Sequence, residues 1–64
     1  MIIYNEKEDR EIEIEFRGSV DKLLRKLKIN REEVIVAVNN EIVDMDEEIG
    51  DDDYVRILSV VSGG

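Results

Sequence analysis

A chain of 64 residues allows one domain with a thin core, because so short a chain buries only roughly 60% of the surface it exposes when unfolded, and a deep catalytic pocket is not expected. Cysteine and histidine are absent, which removes disulfides, thiolate nucleophiles, the usual zinc sites and the commonest general base. The net charge of −8 argues against nucleic-acid binding, where Lys and Arg must neutralise phosphates, and favours a basic protein partner.

The apolar residues, 42% of the chain, fall in periodic runs, so the composition is globular and not that of a disordered acidic chain. At the amino end, Met1-Ile2-Ile3-Tyr4 reads as a strand start. Glu11-Ile12-Glu13-Ile14-Glu15-Phe16-Arg17 alternates charged and apolar residues, the period of a strand with one wet face, and Ile12, Ile14 and Phe16 are expected to face the core. The polar residues 5–9 between them predict an antiparallel hairpin.

Gly18-Ser19 breaks this pattern, and the Ser19 hydroxyl can accept from an unpaired N–H in the first turn of a helix. Val20, Leu23, Leu24 and Leu27 fall at i, i+3, i+4 and i+7, predicting an amphipathic helix of about ten residues. Asp21 suits its positive start; Lys26 and Lys28 suit its negative end. Val34-Ile35-Val36-Ala37-Val38 is a continuous, β-branched run, predicting a strand covered on both faces or lying inside the sheet. Asn39-Asn40 tolerates positive φ and predicts a tight turn into a short strand, Glu41-Ile42-Val43. A polar loop over residues 44–53 leads to a last strand over residues 54–61, in which Val55, Ile57 and Ser59 share one face and Tyr54, Arg56, Leu58 and Val60 the other. Strand, strand, helix, strand, short strand, strand is an α+β plan, one helix on one face of a mixed four- to five-stranded sheet.

No apolar run nears 18 residues and no charged-apolar-small leader opens the chain, so no membrane partner is expected and a cytoplasmic location is. The acidic residues of the 44–53 loop miss the calcium-loop pattern, because Ile49 stands where the glycine is required and Gly50 comes one place late. No metal site is expected there. Paired carboxylates for acid–base catalysis need environments that separate their pKa values, and neither a cleft nor a companion nucleophile is visible; no catalytic residue is expected. What remains is the ending, Val60-Val61-Ser62-Gly63-Gly64. Two glycines in the last two places arise by chance roughly once in 200 chains, although terminal glycines also fray or come from cloning without any function.

Those residues carry a resemblance. The segment from Asp51-Asp52-Asp53-Tyr54 to Val61-Ser62-Gly63-Gly64 resembles the closing strand and tail of the ThiS/MoaD sulfur carriers. Val34 to Val43 is similar to that family's central hairpin, and Ser19-Val20-Asp21-Lys22-Leu23-Leu24 to its helix start. Asn40 and Asp52 stand where glycine is common in the family.

The resemblance implies a ubiquitin-like β-grasp domain over residues 1–60 and a flexible tail over residues 61–64. It implies a carrier that is not itself an enzyme, with no permanently bound cofactor. A ubiquitin-activating-enzyme-like adenylyltransferase would supply ATP and Mg²⁺ and adenylate the Gly64 carboxylate. A sulfur donor would convert it to a thiocarboxylate, and a sulfur-accepting synthase would consume it, for thiamine, molybdopterin or tRNA thiolation. Ser62 and Gly63 would form the threading tail. By strand alternation Arg56, Leu58 and Val60 would form the partner-binding face, and Asp51, Asp52 and Asp53 would steer a basic partner. The alternative is a ubiquitin-like modifier joined to lysines through the same glycine.

Overall fold

The computed structural model describes residues 1–60; residues 61–64, with the expected tail and its Ser62, Gly63 and Gly64, lie outside the described residues. The elements follow the expected order, with two short strands added: β1 (Ile2–Asn5), β2 (Arg10–Glu13), β3 (Gly18–Ser19), α1 (Val20–Lys26), a single 3-10 turn (Arg31–Glu33), β4 (Val34–Val38), β5 (Glu41–Val43), β6 (Glu48–Ile49) and β7 (Tyr54–Ser59). Five strands form one sheet in the order β2-β1-β7-β4-β5. β1 runs parallel to β7, and the other three pairings are antiparallel.

Alternation decides the core. Ile3 on β1, Val36 and Val38 on β4, and Val55 and Ile57 on β7 point to one face, where they are buried against Val20, Leu23 and Leu24 of α1. Each such side chain contributes about 1.5–3 kcal/mol by leaving water. The expected helical stripe is therefore the buried stripe, although Leu27 is only half-buried against it.

The helix has seven residues and not about ten. Lys28, at φ 60°, leaves the right-handed region, its N–H donating to the Arg25 carbonyl at 3.1 Å while the Ile29 N–H donates to the Leu24 carbonyl at 2.9 Å. These two bonds make a Schellman stop, which ends a helix with no glycine or proline to announce it. At the other end the Ser19 hydroxyl accepts from the Lys22 N–H, as expected for the cap. The Val20 and Asp21 N–H groups donate to the carbonyls of Glu47 and Met45 at 2.9 and 2.8 Å. Three first-turn donors that a helix cannot satisfy itself are thus paired.

Two further expectations need correction. The alternating run does not form one strand over residues 11–17: β2 ends at Glu13, Ile12 remains 37% exposed, and Ile14 and Phe16 pack half-buried on the core from beyond the strand. The reason is position, because β2 is the outermost strand and α1 lies over the sheet centre. The 44–53 segment is not simply a polar loop either. Its Ile49 is buried, and β6 pairs with β3 through Gly18 opposite Ile49 and Ser19 opposite Glu48. Gly18 has φ 150°, and a Cβ there would stand 3.3 Å from the Phe16 ring, so this bridge requires glycine.

Candidate partner-docking site

The face of the sheet away from α1 carries the expected partner residues. Val55 and Ile57 are buried on the helix side, so Arg56 and Leu58 project to the opposite face, half-buried, and Val60 beyond the strand end is 49% exposed. Strand register supplies their neighbours. Opposite residues in adjacent strands share a face, so Ala37 and Tyr4 flank Arg56, Ile42 lies beyond Ala37, and Ile35 sits opposite Leu58.

An apolar row of Ile42, Ala37, Ile35, Leu58 and Val60 therefore covers the β5-β4-β7 side and runs toward the carboxyl end of β7. Ile42 is the most open large apolar residue described, at 72% exposure, and Ile35 reaches 38%. Neither was among the residues expected here. The signal for Ile42 was present in part: a two-residue turn at Asn39-Asn40 fixes Val38 opposite Glu41 and hence Ile42 opposite Ala37. The uniformly apolar β4 could not say which face Ala37 occupies. That strand does lie inside the sheet, between β7 and β5, and on the face away from α1 Ala37 is buried while Ile35 is open.

Arg56 is the cation within this face, held 5.9 Å from the centre of the Tyr4 ring. The Tyr4 hydroxyl donates to the Asp9 carboxylate at 2.7 Å. That hydrogen bond raises the Tyr4 pKa above its ordinary value, since losing the phenol proton would set two anions together. Asp9, Tyr4 and Arg56 thus form a chain of contacts that orients the guanidinium.

Two of the three acidic residues expected to steer a partner make structural hydrogen bonds. Asp51 accepts from the Phe16 N–H at 2.9 Å, and Asp53 accepts from the Gly50 N–H at 2.8 Å and from the Asn39 side-chain amide at 3.0 Å. The Gly50 and Asn39 bonds hold the Asp53 carboxyl below the ordinary carboxylate range. These acids precede β7, whose six residues place them about 20 Å from the strand's carboxyl end. Asn39 and Asn40 form the expected tight turn at φ 52° and 72°, whereas Asp52 has no positive φ and needs no glycine. Among the described residues no cluster of acidic, His or Cys side chains could hold a metal ion, and no helix is long and apolar enough to cross a membrane.

Comparison with known proteins bears on this arrangement. The model of the ThiS family matches residues 3–64. The sulfur carrier protein TtuB of Thermus thermophilus is 28% identical over 57 residues, which cover 89% of this chain and 88% of that protein. The crystal structure of the thiamine biosynthesis protein ThiS from Geobacter metallireducens superposes with a TM-score of 0.68 at 25% identity, covering the whole of both chains. An NMR solution structure of a thiamine biosynthesis protein from the same organism gives a TM-score of 0.62 at 25% identity, covering 100% of this chain and 88% of that one. The expected ubiquitin-like β-grasp is the fold.

Proposed function

The chain belongs to the ThiS family, and from that premise we propose that it is a sulfur carrier, a small carrier protein and not an enzyme, working through the carboxylate of Gly64. The observation that carries this reading is that the family match runs to the last residue and so includes Gly63 and Gly64. A free carboxylate is a poor electrophile. In the proposed sequence a partner enzyme binds ATP and Mg²⁺, a Gly64 carboxylate oxygen attacks the α-phosphorus, and pyrophosphate leaves. A sulfide equivalent then adds to the acyl carbon, AMP departs, and the thiocarboxylate remains. Two residues without side chains let the chain end enter a narrow channel in conformations closed to other residues.

The adenylating partner docks on the apolar row, with Leu58, Val60 and Ile42 entering its surface and Arg56 fixing the register. What supports this is the direction of the row, which follows β7 toward the end where the chemistry takes place. Asp51, Asp52 and Asp53 add to the long-range attraction for a basic partner from the far end of that strand. No step of the proposed chemistry needs a side chain of the carrier. Its thiocarboxylate is then delivered by docking to a sulfur-accepting enzyme, whether for a cofactor or for tRNA.

Intact-protein mass spectrometry of the untagged chain from its own cells tests the proposal. A species about 16 Da heavier, with sulfur in place of oxygen at Gly64 and shifting further on alkylation, is the expected result. Only the unmodified mass, accompanied by lysine-linked adducts of the chain, would replace the carrier reading with protein conjugation.

A further inference from the structure

The sheet has a second open side, at the edge opposite β5. All four residues of β2 are exposed, and no described strand pairs with its outer side. The ladder reveals which backbone groups are free there. The Met1 amino group donates to the Ile14 carbonyl and the Ile14 N–H to the Met1 carbonyl, both at 3.0 Å, so this pair exchanges both bonds. Antiparallel alternation then makes Ile3-Ile12 and Asn5-Arg10 the other bonded pairs. The N–H and C=O groups of Glu11 and Glu13 therefore point away from β1, toward open solvent.

The side chains sort by face. Glu13 lies opposite Ile2 and Glu11 opposite Tyr4, on the face away from α1, whereas Ile12 lies opposite the buried Ile3 on the helix side. Beside Ile12 a groove of about 230 Å³ opens between β2 and the segment that follows α1, with Ile3, Ile57, Leu27 and Ile29 as its apolar lining and Asn5, Glu8 and Arg10 as its polar one. An unpaired strand edge, two glutamates on one face and an apolar groove on the other are thus brought to one place.

We propose that β2 docks an extended segment of a partner protein as an added strand of the sheet, and that this segment alternates Lys or Arg with apolar residues. The backbone of Glu11 and Glu13 bonds to two residues spaced i and i+2 in the added strand, and those residues share the glutamates' face. Opposite charges directly across a pair of strands attract, so these two are basic. The residue between them faces the helix side and covers Ile12 and the groove. A second copy of this chain is a poor occupant. Antiparallel pairing of two β2 edges with their faces aligned sets Ile12 against Ile12, Glu11 against Glu11 or Glu13 against Glu13, and each of these registers lays glutamate against glutamate. Like charges so placed repel, which protects the edge from self-association.

This surface lies across the sheet from Ile42, so a partner held on β2 leaves Ile42 and the rest of the apolar row on β4 and β5 free. The inference does not depend on the chemistry at Gly64. Titrating the ¹⁵N-labelled chain with a blocked Lys-Val-Lys-Val-Lys peptide tests it. The amides of Glu11, Ile12 and Glu13 are expected to shift, and methylating the peptide's lysine backbone nitrogens is expected to abolish those shifts. The double variant Glu11→Lys, Glu13→Lys is expected to bind this peptide about ten-fold more weakly and to accept the Glu-Val-Glu-Val-Glu counterpart in its place. Shifts confined to Glu41, Ile42 and Val43, equal binding of the N-methylated peptide, or no shift at about 2 mM peptide would each overturn the proposal.

Discussion

Asn39 and Asp53 show how single side chains join distant parts of so small a molecule. The Asn39 N–H donates to the Tyr54 carbonyl at 2.8 Å, its side-chain oxygen accepts from the Tyr54 N–H at 3.1 Å, and its side-chain nitrogen donates to Asp53. The β4-β5 turn is thereby fastened to the start of β7. Asp53 completes the fastening by accepting from Gly50, and both bonds are strongest to the ionised carboxylate. Its pKa is lowered in the folded chain, so its stabilising contribution is present above the ordinary value of 3.8 and is lost as pH falls through the lower folded value. Asp53→Asn is therefore expected to cost about 1 kcal/mol at neutral pH, lowering the melting temperature by about 4–8 °C. Thermal melts as a function of pH should show the gap to the parent protein closing below 3.8. A gap that persists undiminished at about pH 2 would assign the loss to shape and not to charge.

At the scale of one element, the helix end carries an avoidable cost. Lys28 occupies the left-handed position of the Schellman stop at φ 60°, where a side chain costs roughly 1 kcal/mol and glycine costs almost nothing. Lys28→Gly is expected to stabilise the chain by about 0.5–1 kcal/mol, with the loss of one helix-end charge offsetting part of the gain. Urea denaturation measures it, and an unchanged midpoint would mean that the charge and the backbone term cancel. The same element explains why periodicity predicts too long a helix. Leu27 continues the i+7 periodicity that sequence displays, but periodicity records which residues turn toward the core, not where the backbone ladder stops. Strand β2 departs from its periodicity for a related reason. Its alternation gives the correct inward face, and only the position of α1 leaves Ile12 half uncovered.

For the whole molecule, the consequence is a division of the sheet. One face holds the core and the helix, while the other carries an apolar row directed to the carboxyl end and an acidic edge on β2. Ile42 is so exposed that its replacement removes little from the fold. Ile42→Asp is expected to leave the melting temperature within the range of ordinary surface changes and to weaken productive docking to the proposed adenylating partner about ten-fold or more. Leu58→Asp, at a half-buried site beside Ile35, is expected to weaken that docking likewise but also to lower the melting temperature. ATP–pyrophosphate exchange against carrier concentration measures both. Full activity of the two variants would move the docking surface elsewhere.

Sequence alone determined the order of the main elements, the helix cap at Ser19, the Asn39-Asn40 turn, and the two faces of β7. These are local matters of periodicity and side-chain chemistry, and each is written within a few neighbouring residues. The resemblance in the ending and the central hairpin gave the family. Tertiary structure alone decided that Ile49 is core, that β3 pairs with β6, and that Ile42 and Ile35 join Leu58 on one face. Two-residue strands have no period to read, and a uniformly apolar strand such as β4 has no sequence mark of its wet side. Only pairing with neighbours far along the chain assigns those faces.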